Sequence, residues 1–129
     1  MILGIGTDIT NINHFKKVLK KSPAMIERIF TTSEIIYAKR LCITKKEAYY
    51  AKRFSGKEAI SKACGTGIGK SLNWKDIEIL NDKVGAPTVN FSAKALTFLK
   101  KKFKTKTIKT FISLSDEEEY VLAFALLTK

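Results

Sequence analysis

Arg53-Phe54-Ser55-Gly56-Lys57-Glu58-Ala59-Ile60-Ser61-Lys62-Ala63 is the stretch on which the reading of this chain turns. At helical spacing Phe54, Glu58 and Lys62 fall at i, i+4 and i+8 on one face. Ala59, Ile60, Ala63 and Cys64 make the neighbouring face small or apolar. A carboxylate and an ammonium thus stand one turn apart beside a face suited to burial. Taken alone, such a pair is common on solvated helices and is worth about 0.3–0.5 kcal/mol. Gly56 sits in the helix interior, where it costs ~1 kcal/mol against Ala, so it reads as a place where something approaches the backbone. Asp8, a lone acid in an otherwise apolar amino-terminal segment, supplies a second carboxylate. Two carboxylates from distant segments, with a lysine beside one, are what a magnesium–phosphate site needs. Mg²⁺ takes hard oxygen ligands, usually one or two carboxylates plus phosphate oxygens and water.

Working outward, Ile2 to Ile9 alternates as a strand, with Ile2, Gly4, Gly6 and Asp8 on one face. Its two glycines leave room for close approach of another element or a ligand. Asn11 to Lys21 is an amphipathic helix with Ile12, Phe15, Val18 and Leu19 as its stripe. Ser22-Pro23 reads as the cap and first residue of a following helix, whose inner face is Met25, Ile26, Ile29 and Phe30. Thr31–Glu34 and Thr44–Glu47 both have the Thr-x-x-Glu form of a capping box. They predict a short helix to about Leu41 and a long one to about Cys64. Gly65-Thr66-Gly67-Ile68-Gly69 stops the long helix. This glycine run does not match a phosphate-binding P-loop, because Cys64 stands where glycine is required and a helix, not a strand, precedes it. Ile77–Leu80 and Thr88–Phe91 form a hairpin around Asn81–Gly85, with Pro87 at the entry. A basic helix follows Ser92. Thr107–Ser115 and Tyr120–Leu127 are strands, and the second is so apolar that it reads as central and covered on both faces. The pattern gives an α+β domain spanning residues 1–129.

The 129 residues carry a formal charge of +12, which suits an acidic partner or nucleic acid. Of the 24 basic residues only Arg28, Arg40 and Arg53 are arginine; base readout favours arginine, so specific nucleic-acid binding is disfavoured. No apolar run reaches the ~18–20 residues of a membrane span. The start lacks the pattern of a signal peptide, and the reading is a cytoplasmic protein. Cys42 and Cys64 read as buried free thiols. With His14 as the lone histidine they make no zinc site at any standard spacing.

Gly4-Ile5-Gly6-Thr7-Asp8-Ile9, the central Arg53–Ala63 stretch, Gly65–Gly69, Gly85-Ala86-Pro87 and Ile112-Ser113-Leu114-Ser115 together resemble, in order and spacing, the holo-acyl-carrier-protein synthase family, the small 4'-phosphopantetheinyl transferases. The resemblance implies the transferase fold, a small antiparallel sheet packed against a long central helix and shorter helices. It implies transfer of 4'-phosphopantetheine from coenzyme A to a serine of apo acyl carrier protein, for fatty acid biosynthesis, with Mg²⁺ as cofactor and adenosine 3',5'-bisphosphate released. On it, Asp8 and Glu58 are metal ligands and catalytic, and Lys62 neutralises phosphate charge. The proton acceptor is Glu58 or a metal-bound water. Arg53, Lys62, Gly65, Gly85, Pro87 and Ser113 lie about coenzyme A. His14, Val18, Lys21 and Arg28 contact the acidic carrier protein, and the assembly is a homotrimer with sites between subunits. One departure stands out: the family commonly has histidine at or near the slot of Phe111. Two rivals come from other functional classes. A basic nucleic-acid module predicts salt-sensitive binding without magnesium, and a small metal-dependent nuclease uses the same two acids on a phosphodiester.

Overall fold

The computed structural model describes all of Met1–Lys129. In chain order the elements are β1 (Ile2–Asn11), α1 (Ile12–Lys21), α2 (Met25–Ile29), α3 (Thr32–Ala38), α4 (Ile43–Ala63), a 3-10 turn (Trp74–Asp76), β2 (Ile77–Asn81), β3 (Pro87–Phe91), α5 (Ala93–Lys102), β4 (Lys109–Asp116) and β5 (Tyr120–Thr128). The strands form an antiparallel three-stranded sheet, β1-β5-β4, and a separate β2-β3 hairpin. The α+β expectation holds, with the long helix as spine. No helix is long and apolar enough to cross a membrane.

α4 is buried nearly all round rather than along one stripe. Its second half joins Leu72, Ile77, Ile79, Leu99 and the inner side chains of β5 in one core. Its first half joins Phe15, Ile29, Phe30 and Ala38 in another. Gly56 is accounted for by this packing: a Cβ there would lie 2.6 Å from Ile79 Cδ1 and 3.0 Å from Ile112 Cδ1. The neighbour anticipated at Gly56 is therefore core side chain.

Gly4 and Gly6 set how closely β1 lies on α4. A Cβ on either would stand 1.9 Å from a helix carbonyl, Ala63 O for Gly4 and Ala59 O for Gly6. Only glycine opposite alanine lets the strand ride on the helix backbone.

Local signals held in several places. Asn11 caps α1, its Oδ1 accepting from His14 N at 2.9 Å. Thr31 and Glu34 form the reciprocal capping box. Gly65, at φ +68°, closes α4 as a Schellman motif, with Thr66 N donating to Ser61 O and Gly65 N to Lys62 O. Four expectations are corrected. Ser22 ends α1, and α2 starts only at Met25, so Pro23 lies in the intervening turn. Thr44 is not a cap: α4 begins at Ile43 behind Cys42, with no side-chain cap bond. Cys42, at that exposed terminus, is not buried, whereas Cys64 is. β5 is central, but only its Val121, Ala123, Ala125, Leu127 face is covered; Leu122 and Phe124 stand exposed beside Ile5, Ile9 and Phe111 on the outer face of the sheet.

Candidate active site

The ladder begun by Gly4 on Ala63 and Gly6 on Ala59 continues one step further. Two strand residues advance about 6.6 Å and four helix residues about 6.0 Å, so the next partners in register are Asp8 and Ser55. Ser55 Oγ donates to Asp8 Oδ2 at 2.8 Å, and Thr10 Oγ1 donates to the same oxygen at 2.9 Å. Lys62 reaches in from the side of the helix, its Nζ 3.3 Å from Asp8 Oδ1 and donating to Thr7 O at 2.8 Å. Half of the Lys62 side chain is exposed, so this pair adds little to stability and stays within reach of a ligand.

Glu58, one turn before Lys62, accepts a hydrogen bond on Oε1 from Trp74 Nε1 at 3.2 Å. Asp8 and Glu58 line one cavity of about 560 Å³ together with His14, Val18, Phe54 and Trp74. The two acids expected to converge are thus brought together, by strand–helix stacking for one and helix phase for the other. They are two oxygen donors with no third: no group of three or more His, Cys, Asp or Glu side chains is assembled to hold an ion. Such a pair suits a cation that completes its shell with phosphate oxygens and water.

Arg53, Gly85 and Pro87 meet elsewhere, in a second cavity of about 410 Å³ that also takes in Lys45, Lys52 and Asn81. It shares no lining residue with the first. Arg53 is buried, its guanidinium 4.5 Å from the centre of the Tyr49 ring and donating to Asn81 Oδ1 at 2.8 Å. Its Nε and the Tyr49 hydroxyl are buried without protein partners, an unspent donor beside a basic cavity. Burial pushes the Tyr49 hydroxyl above the usual tyrosine range, with Arg53 offsetting part of the effect. Gly85, at φ +91°, closes the β2-β3 turn.

The remaining predicted residues scatter. Gly65 serves as the helix stop and lies near Lys102. Ser113 shares the outer sheet face with Phe111 and Ser115, away from both cavities. Lys21 and Arg28 are exposed on α1 and α2 and line neither cavity.

Sequence reasoning missed Ser55, Thr10 and Trp74 as partners of the two acids. It also missed the ion pair behind them. Lys57 and Glu34 are both fully buried, 2.6 Å apart. Lys57 Nζ further donates to Ile29 O at 2.7 Å and Trp74 O at 3.1 Å. Glu34 accepts Thr31 N on Oε1 and Ile79 N on Oε2. Burial lowers the Lys57 pKa, and Glu34 opposes the shift. Glu34 showed itself only as a capping residue and Lys57 only as a neighbour of Glu58; nothing in the spacing joins them.

Residues 4–125 match the family model of the 4'-phosphopantetheinyl transferase superfamily. The holo-[acyl-carrier-protein] synthase of Pelagibacter ubique is 45% identical over 128 residues, covering 99% of this chain and 98% of the relative. The crystal structure of holo-[acyl-carrier-protein] synthase from Neisseria meningitidis superposes with a TM-score of 0.88 at 36% identity, over 100% of both chains. That of the Bacillus anthracis holo-(acyl-carrier-protein) synthase in complex with CoA (3',5'-ADP) superposes with a TM-score of 0.82 at 37% identity, covering 98% of this chain and 96% of the other.

Proposed function

Because this chain belongs to the holo-[acyl-carrier-protein] synthase family of the 4'-phosphopantetheinyl transferase superfamily, we propose that it transfers 4'-phosphopantetheine from coenzyme A to a serine hydroxyl of apo acyl carrier protein. The observation that carries this reading is the placement of Asp8 and Glu58 on one cavity with Lys62 against Asp8. The serine oxygen attacks the pantetheine-side phosphorus, the bond to the bridging oxygen breaks, and adenosine 3',5'-bisphosphate leaves with the electron pair. The serine proton passes to a base, for which the Glu58 carboxylate is the candidate among this chain's own side chains. Phosphoryl transfer of this kind rests on positioning and charge neutralisation.

Asp8 and Glu58 fit a magnesium ion, and Mn²⁺ suits the same oxygens. A bound divalent ion supplies positive charge to the diphosphate. Ser55 and Thr10 hold the Asp8 carboxylate in place. Lys62, close to Asp8 and half exposed, neutralises charge that grows on phosphate oxygen in the transition state.

We assign the second cavity to the nucleotide of coenzyme A, with Arg53 as its buried cation and Gly85 and Pro87 as its rim. Within one chain the two cavities are separate, and a boundary between subunits is where they would join. The exposed apolar outer face of the sheet supports that reading, and a homotrimer is the assembly we infer. His14 and Val18, on the rim of the acid cavity, and the exposed basic side chains of Lys21 and Arg28 form the surface for the acidic carrier protein. Two unpaired thiols accord with a cytoplasmic setting.

The test is direct. Purified protein with coenzyme A, Mg²⁺ and apo carrier protein yields a carrier heavier by one phosphopantetheine, seen by intact mass. Asp8→Asn and Glu58→Gln abolish the gain while circular dichroism stays native. An unmodified carrier with the wild-type protein at every metal concentration ends the proposal, and unfolding of both variants ends the site assignment.

A further inference from the structure

Glu58 is the one candidate metal ligand whose carboxylate is held by a side chain outside β1 and α4. That side chain is Trp74, the sole tryptophan of the chain. An indole N–H donates and cannot accept, so it fixes Glu58 Oε1 without competing for a cation. It leaves the rest of the carboxylate to the cavity that both residues line.

Trp74 is itself fixed from three directions. Its carbonyl accepts from the buried Lys57 ammonium, which also grips Ile29 O on another wall of the same cavity. The 3-10 turn it begins is closed by reciprocal Asn73–Asp76 bonds. Asp76 in turn accepts from Ser92 Oγ, the cap of α5, at 2.7 Å. Its ring lies 6.3 Å from that of Phe54, which packs on the same cavity. With its carbonyl and turn held by these bonds and its ring beside Phe54, Trp74 presents its N–H from a fixed base.

We infer that Trp74 is a positioning residue for Glu58, orienting that carboxylate for the divalent ion through its N–H, with Lys57 anchoring the Trp74 backbone carbonyl from behind. The inference rests on the assignment of Glu58 to the metal. Partners of ligands in this position typically change metal affinity 10–100-fold when removed.

The experiment is a titration of Mn²⁺ into the full chain with coenzyme A, free Mn²⁺ being read by electron paramagnetic resonance. Trp74→Phe keeps a ring and deletes the donor. Mn²⁺ affinity is expected to fall about tenfold or more, at a melting temperature close to wild type, a result that loss of packing alone does not give. Glu58→Gln run beside it abolishes tight binding. An affinity unchanged in Trp74→Phe but lost in Glu58→Gln overturns the positioning role alone. Unchanged binding in both overturns it together with the assignment beneath it. The wild-type protein gives a second readout free of any folding defect. Bound Mn²⁺, being paramagnetic, quenches Trp74 emission, and this quenching disappears in Glu58→Gln. Emission that ignores saturating Mn²⁺ overturns the proposal.

Discussion

Replacing Lys57 with methionine tests the buried charge network more sharply than any other substitution. All three ammonium protons are used, on Glu34 Oε1 at 2.6 Å, Ile29 O at 2.7 Å and Trp74 O at 3.1 Å. Methionine fills much of the space but supplies none of these bonds. Glu34 keeps two backbone donors, Thr31 N at 2.8 Å and Ile79 N at 2.9 Å, yet loses its only cation at zero exposure. Leaving a buried charge unpaired in this way costs about 3–5 kcal/mol, a large part of the 5–15 kcal/mol typical of a whole domain. Glu34→Gln is expected to cost a similar amount, because the ammonium is then stranded against two carbonyls. The double variant Lys57→Met, Glu34→Gln removes both charges and is expected to lose less than the sum of the singles, by up to about 3 kcal/mol. Urea unfolding followed by Trp74 emission measures this, at fixed protein concentration because any assembly adds to apparent stability. A Lys57→Met loss under about 1 kcal/mol, with additive singles, would refute the claim that this pair holds α2, α3, α4 and the 3-10 turn together.

Gly6→Ala forces a Cβ to within 1.9 Å of Ala59 O; it is expected to cost about 1–3 kcal/mol and to reduce transfer by displacing Asp8, whereas Gly69→Ala, where the space is open, shifts the melting temperature little. In the native protein a thiol reagent labels exposed Cys42, whose pKa is lowered chiefly by its Thr44 hydrogen bond, and spares Cys64 until denaturant is added; two reactive thiols in the native state count against the described packing. Burial pushes the Cys64 thiol from 9.0 to about 12. The folded state therefore keeps a proton that the unfolded chain releases, so the stability Cys64 contributes is full below pH 9 and is lost between pH 9 and about 12. Melting temperatures across that range should fall less steeply for Cys64→Ala than for wild type, with equal slopes as the contrary result. Lys57 carries the opposite sign: its lowered pKa makes its own contribution rise as pH climbs toward the ordinary lysine value of 10.5, a rise absent from Lys57→Met.

Short-range features were readable in the sequence where one residue type answers one local need. The Thr31–Glu34 box and the Gly65 stop each close bonds within a few residues, so spacing alone reveals them. The same spacing misled at Thr44 and Ser22, because where a helix begins depends on what its first turn packs against. The acids Asp8 and Glu58 were legible through the ordered motifs, but the device that brings them to one cavity was only half visible. Gly4 and Gly6 announced a close approach without naming the partner.

By itself the sequence determined the long central helix, through residue types at fixed local intervals, and the family, through motifs in order along the chain; it was the resemblance those motifs carry that singled out the two acids. Only the tertiary structure decided that β1 stacks on Ala59 and Ala63, that Ser55 and Trp74 hold the acids, that Lys57 pairs with a glutamate 23 residues away, and that one face of β5 is left open. Each of those depends on which surfaces meet once the chain has closed on itself, and a linear pattern carries no record of the second surface.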